Sequence, residues 1–145
     1  MSNLTEIRQA YERLTDLLDK EMLNRKGQAA ELRRFRKWLD TAFYLLGWAN
    51  FENPTRKKVE ALVSEGTRGK SRDRYAWVYL KDGLKGYPVK KRLEMIFHGN
   101  PKLINSLKDQ YEVRNEAAHD YKKLPPEVND LPALLQEWED LVDRF

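Results

Sequence analysis

The sequence predicts an all-α fold, an antiparallel up-and-down helical bundle with a four-helix core and additional short helices, formed by residues 1–145 as a single domain. Three observations carry this. Apolar residues recur at spacings of three and four over most of the chain. Glycine, proline and asparagine punctuate it at helix-length intervals. The one strand-like run, Tyr75 to Leu80, has no second run to pair with.

Leu4, Ile7, Tyr11, Leu14, Leu17 and Leu18 place a first amphipathic helix from about Asn3 to Asn24, and Gly27 ends it or opens the next. Ala30, Phe35, Trp38, Leu39, Ala42, Phe43, Leu45 and Leu46 form a longer, more apolar helix that ends near Asn50 and pairs antiparallel with the first. Asn53-Pro54 reads as a cap followed by proline at the first helical position, so Val59, Ala61, Leu62 and Val63 form a short third helix closed by Gly66. A basic loop follows, then a short helix over Tyr75–Leu80, with turns at Asp82-Gly83 and Lys85-Gly86. Pro88 to Phe97 is helical, with Gly99 as its stop. Asn100-Pro101 opens a helix carrying Leu103, Ile104, Leu107, Tyr111, Val113, Ala117 and Ala118. Pro125-Pro126 breaks the chain, and Leu131 to Phe145 supplies a last amphipathic helix.

At 145 residues the chain is long enough for one hydrophobic core without cross-links. It has no cysteine, which excludes disulfides, thiolate metal sites and a cysteine nucleophile, and its imidazoles are His98 and His119. The N-terminus carries no basic and apolar leader pattern, and no stretch reaches the roughly 18 apolar residues of a membrane span, so a cytoplasmic location and no membrane partner are expected. The net charge of +4 is unevenly placed. Between positions 53 and 92, twelve Lys or Arg stand against four Asp or Glu, a local +8, whereas from 124 to 145 one Arg stands against six acids, a local −5. A basic middle steers polyanions, and equally reads as a solvated helical surface.

The densest chemistry is the run Arg114-Asn115-Glu116-Ala117-Ala118-His119-Asp120-Tyr121. On a helix Asn115 and His119 are four apart and share a face, while Arg114, Ala118 and Tyr121 follow the adjacent stripe. Arg114 and His119 are five apart, about 140° round the axis, and converge only through the length of the arginine side chain or if the helix frays. A single copy therefore presents an incomplete site.

This run resembles the signature of the HEPN superfamily, an Arg followed by a polar residue and then His at R-x4-H spacing, and Tyr121 extends it to the R-x4-H-x-Y form of HepT-type toxins. The spacing alone is a weak pattern in a chain of thirteen arginines and two histidines, and Asn115 and Tyr121 sharpen it. The resemblance implies an RNA endonuclease, the toxin or effector of a prokaryotic toxin–antitoxin or antiviral defence system. It implies a homodimer whose shared cleft is lined by Arg114 and His119 of both chains, with Asn115 orienting the imidazole or holding the phosphate. Such cleavage needs a base, an acid and positive charge on the transition state, but no metal or cofactor. Histidine serves either proton-transfer role near neutral pH, and a guanidinium meets phosphate oxygens in bidentate geometry. In HepT-type toxins the motif tyrosine is adenylylated by a nucleotidyltransferase-type antitoxin, so the resemblance makes Tyr121 a regulatory position. The basic middle is long compared with the compact HepT pattern.

Two rival readings remain. HEPN-like bundles also act as non-catalytic partners that hold a nucleotide or substrate for a nucleotidyltransferase, and a helical adaptor would have no nucleic-acid role at all. Arg68, Lys70, Arg72 and Arg74 form a basic loop suited to an RNA backbone. The same stretch ends in the Gly-Lys-Ser of a phosphate-binding loop, but the required first glycine falls at Ser64 and the segment before it is helical. His98, before Gly99, reads as a helix-terminal cap, and Trp38, Trp48, Trp77 and Trp138 as core or dimer-interface residues.

Overall fold

The computed structural model describes residues 2–120, 124–126 and 128–145. The chain is all-α, with no strand among the described residues. Its helices are α1 (Asn3–Asn24), α2 (Ala29–Arg68), α3 (Arg74–Gly83), α4 (Val89–Phe97), α5 (Pro101–Asp120) and α6 (Leu131–Val142). Single 3-10 turns at Lys26–Gln28 and Leu84–Gly86 complete the order. No described helix is long and apolar enough to cross a membrane.

Local chemistry sets most of these boundaries. The Ser2 hydroxyl accepts from the Thr5 amide at 3.1 Å and caps α1. Asn100 Oδ1 accepts from the Leu103 amide at 3.1 Å, with Pro101 as the first helical residue of α5. Asp130 accepts from the Ala133 amide at 3.0 Å and starts α6. His98 Nδ1 lies 3.1 Å from the Met95 carbonyl, the helix-terminal role expected of it.

Helix α3 runs through the turn expected at Asp82-Gly83, α6 stops at Val142 and not Phe145, and the largest difference from expectation lies in α2. The helix break at Asn50–Asn53 does not exist, and α2 runs unbroken for 40 residues with Pro54 inside it. Proline removes one backbone donor and crowds the carbonyl four residues back. Here side-chain burial outweighs that cost. Tyr44, Trp48, Phe51, Thr55, Val59 and Val63 repeat at intervals of three and four through the proline, and all six are almost wholly buried. Asn53 accordingly caps nothing; its Oδ1 accepts from Arg56 Nη2 at 3.0 Å.

The chain divides into two compact units. The first comprises residues 1–51 and 112–145. In it α1 and α2 run antiparallel, because Asn3 meets Asn50, Tyr11 meets Asp40 and Asp19 meets Arg36 in reverse order. Helix α6 runs in the same sense as α2: Gly47 abuts Leu135, and Phe51 stacks on Trp138 at 6.0 Å. Trp138 is the centre of this core, edge-on to Tyr44 at 5.3 Å and to Trp48 at 5.4 Å. A side chain at Gly47 would strike Leu135 and lie 3.0 Å from the Trp138 ring, so glycine is what lets α6 approach α2 this closely. Glu139 of α6, 8% exposed, takes the Ser2 and Thr5 hydroxyls and faces Arg8 at 3.7 Å, which ties the start of α1 to α6.

The second unit comprises residues 52–111. Val59, Val63 and Leu84 form its core with Trp77, Leu80, Tyr87, Met95 and Ile96 packed around them. Gly66 lies against the Trp77 indole, where a β-carbon would collide. Lys108 and Lys91 both hold Glu94, at 2.5 and 2.9 Å, and keep its carboxyl below the usual range, Lys108 first.

Candidate functional site

Arg114, Asn115 and His119 all lie on α5, in the part that belongs to the first unit. The anchor is Ala117, 3% exposed. Its small side chain faces the protein interior and leaves the neighbouring positions to fan out around the helix. Arg114 and Asn115 are half-buried, whereas Glu116, His119 and Asp120 are exposed.

The three polar groups do not form one cluster. Arg114 Nη1 donates to Asn115 Oδ1 at 3.0 Å. Adjacent helical residues point about 100° apart, so the contact depends on the reach of the arginine. His119 lies a full turn further on and has neither a hydrogen bond nor an ion pair among the described residues. Arg114 is likewise not ion-paired to Asp109 or Glu112. Tyr121 lies outside the described residues.

Chemically, the helix presents a fixed guanidinium steadied by an amide and, separately, an imidazole open to solvent. A guanidinium with no carboxylate partner among the described residues keeps its charge available to an external anion. An imidazole on an exposed surface can exchange protons with whatever binds there.

No family model, curated protein or solved structure matches this chain. The functional reading therefore rests on the motif and on these positions. A cleft of about 220 Å³, lined by Lys37, Asp40, Leu124, Pro125, Pro126, Val128 and Asn129, lies in the same unit. It is smaller than the roughly 300–1,000 Å³ of small-molecule sites. Its Asp40 is already engaged, accepting from Tyr11 Oη at 2.6 Å and from Arg36 Nε at 3.3 Å.

The basic loop falls in the second unit. Arg68 ends α2, Lys70 and Arg72 follow it, and Arg74 begins α3; all four are exposed. Ser64 lies inside α2, so the Gly-Lys-Ser stretch follows a helix and not the strand a phosphate loop needs. Sequence reasoning missed Tyr75 and Tyr79. They belong to a run read only as helix-forming, yet they are 66% and 85% exposed. Their spacing of four, offset from Trp77 and Leu80, was the available signal.

Proposed function

We propose that this chain is an endoribonuclease that cleaves RNA without a metal ion, acting as the toxin or effector of a prokaryotic toxin–antitoxin or antiviral defence system. The observation that supports it is an Arg114 guanidinium that no carboxylate among the described residues neutralises and, five residues further along the same helix, an open His119, inside an R-x4-H-x-Y run. In the reaction, the RNA 2′-hydroxyl loses its proton to a base and attacks phosphorus. The P–O5′ bond breaks and the leaving oxygen takes a proton, which yields a 2′,3′-cyclic phosphate and a 5′-hydroxyl. His119 supplies a proton-transfer group and Arg114 the positive charge that meets the phosphorane-like transition state.

One motif imidazole per chain suits one of the two proton transfers, so a homodimer with a second His119 completes the pair. Apolar surface on α1 and α2 favours association: Phe35 and Trp38 are 50% and 58% exposed. Tyr121, two residues beyond His119, is the position at which a nucleotidyltransferase-type antitoxin would add a bulky anionic group, blocking RNA by charge and volume.

The test is cleavage of total cellular RNA by the purified protein in EDTA, beside Arg114→Ala and His119→Ala, with end-group analysis and mass spectrometry of Tyr121. Products ending in 2′,3′-cyclic phosphates, lost in both variants, are expected. With Tyr121 unmodified, no cleavage, or cleavage that survives both changes, would overturn the assignment and favour a non-catalytic partner of a nucleotidyltransferase.

A further inference from the structure

Helix α3 has two faces of opposite character. Trp77, Leu80 and the following Leu84 pack into the second unit's core. The other face carries Tyr75, Val78 and Tyr79, all exposed. Aromatic rings contribute to stability by burial, and a phenol 85% exposed contributes almost nothing of that kind.

The charge around this face is also one-sided. Between positions 68 and 85 stand six Lys or Arg against Asp73 and Asp82. None of these eight side chains is ion-paired among the described residues. The Arg74 guanidinium lies 4.9 Å over the Tyr75 ring and donates to its hydroxyl at 3.2 Å, so the cation and the ring are held together.

We infer that this face of α3 and the adjoining loop form a binding platform for single-stranded RNA. Bases stack on Tyr75 and Tyr79 while Arg68, Lys70 and Arg72 take the phosphates. Stacking on side chains requires bases whose faces are free, which a duplex does not offer. Positions four apart on a helix hold their side chains about 5–6 Å apart at the β-carbons, so the two rings present neighbouring surfaces to one strand. The choice of RNA as the polyanion rests on the ribonuclease reading; the platform itself rests on exposure and charge. An anionic membrane is the competing surface for a basic, partly apolar helix, but α3 has already committed its main apolar face to the core.

The experiment is fluorescence anisotropy with the full chain carrying His119→Ala, so that bound RNA survives. The probes are a labelled oligouridylate of about twelve nucleotides, within the usual site size, an RNA duplex of the same length, and phosphatidylserine vesicles. Single-stranded RNA binds tightest. Tyr75→Ala with Tyr79→Ala weakens it roughly tenfold or more, and the corresponding Phe pair stays within about twofold of the parent. Arg72→Ala flattens the slope of log affinity against log salt by about 0.7, one phosphate contact on a single strand. Both tyrosines are exposed, and unchanged helical circular dichroism confirms that the variants fold. Equal affinity of the Ala pair, equal affinity for the duplex, or tighter binding to vesicles would overturn the platform. Tyrosine-dependent binding by a parent chain that cleaves nothing would leave the platform standing and remove the ribonuclease reading. Cleavage by a parent chain whose binding ignores both tyrosines would do the reverse.

Discussion

Arg114 Nη1 and Asn115 Oδ1 are hydrogen-bonded at 3.0 Å, so the motif's amide steadies the guanidinium and not the imidazole. The two substitutions of Asn115 should then differ. Asn115→Ala leaves Arg114 charged but less ordered, and the cleavage rate falls about tenfold. Asn115→Asp sets a carboxylate against the guanidinium and neutralises the charge on which the proposed cleavage depends. Its rate falls about as far as that of Arg114→Ala, some 10²–10³-fold for loss of one transition-state donor. Single-turnover cleavage of one RNA by the three variants checks the order, and equal rates for Asn115→Ala and Asn115→Asp would break the link to Arg114.

Pro54 sits in the interior of α2, where it withholds a donor from the Asn50 carbonyl. Pro54→Ala restores that bond and removes the ring's clash. Alanine is about 3 kcal/mol better than proline inside a helix, against which the freer unfolded chain costs up to about 1 kcal/mol. The variant should be more stable by roughly 2 kcal/mol, read as a higher urea midpoint at unchanged slope. A lower midpoint would mean that the helix needs the proline's shape at this position.

Much of the fold was legible because helix ends are written in local chemistry. The bounds of α1, the Asn100 cap and the His98 carbonyl contact follow from residues within one turn of the boundary. Pro54 was misread for the same reason: Asn-Pro is a local start signal, and the buried stripe from Tyr44 to Val63 that overrides it is visible only over five turns. Trp38 shows a second limit. Between Phe35 and Phe51 α2 is apolar on most sides, and periodicity does not say which side the chain itself covers; Trp48 is buried and Trp38 is not. At the site, the spacing of Arg114 and His119 was plain, but the bond between adjacent Arg114 and Asn115 depends on an arginine conformation that spacing does not encode.

Tyr11 predicts an alkaline limit to stability. Burial first, and then its hydrogen bond to Asp40, push the phenol up from 10.0 to about 12. A folded-state pKa above the unfolded one stabilises the fold fully below the unfolded value and loses that contribution as pH rises through the folded value. The advantage of the parent over Tyr11→Phe should therefore be constant below pH 10 and shrink between about pH 10 and 12. At neutral pH the variant loses one hydrogen bond, about 1 kcal/mol, while Asp40 keeps Arg36. Urea unfolding of both proteins at pH 8 and pH 11 measures the difference, and a gap that does not narrow would contradict the assignment.

Association is the remaining prediction, and it follows from where apolar surface is left open in the first unit. Phe35, Trp38, Ala42 and Leu46 repeat at three and four along α2, and all are exposed. On α1, Leu14 and Leu17 continue the stripe of Ile7 and Ala10, which face Phe43 and Leu46 across a groove of about 440 Å³. Phe35, Trp38, Leu46, Leu14 and Leu17 are 41–58% exposed. At about 200 Å² for a fully exposed large apolar side chain they leave roughly 500 Å² uncovered. That approaches the apolar share of a standard interface of about 800 Å² per partner. Multi-angle light scattering at micromolar concentration should give twice the chain mass, and Phe35→Ser with Trp38→Ser should return a helical monomer. Cleavage lost with the dimer, while Arg114 and His119 remain in place, would mean that the reaction needs groups from two chains. A parent that stays monomeric throughout that range would remove both the interface and the composite site.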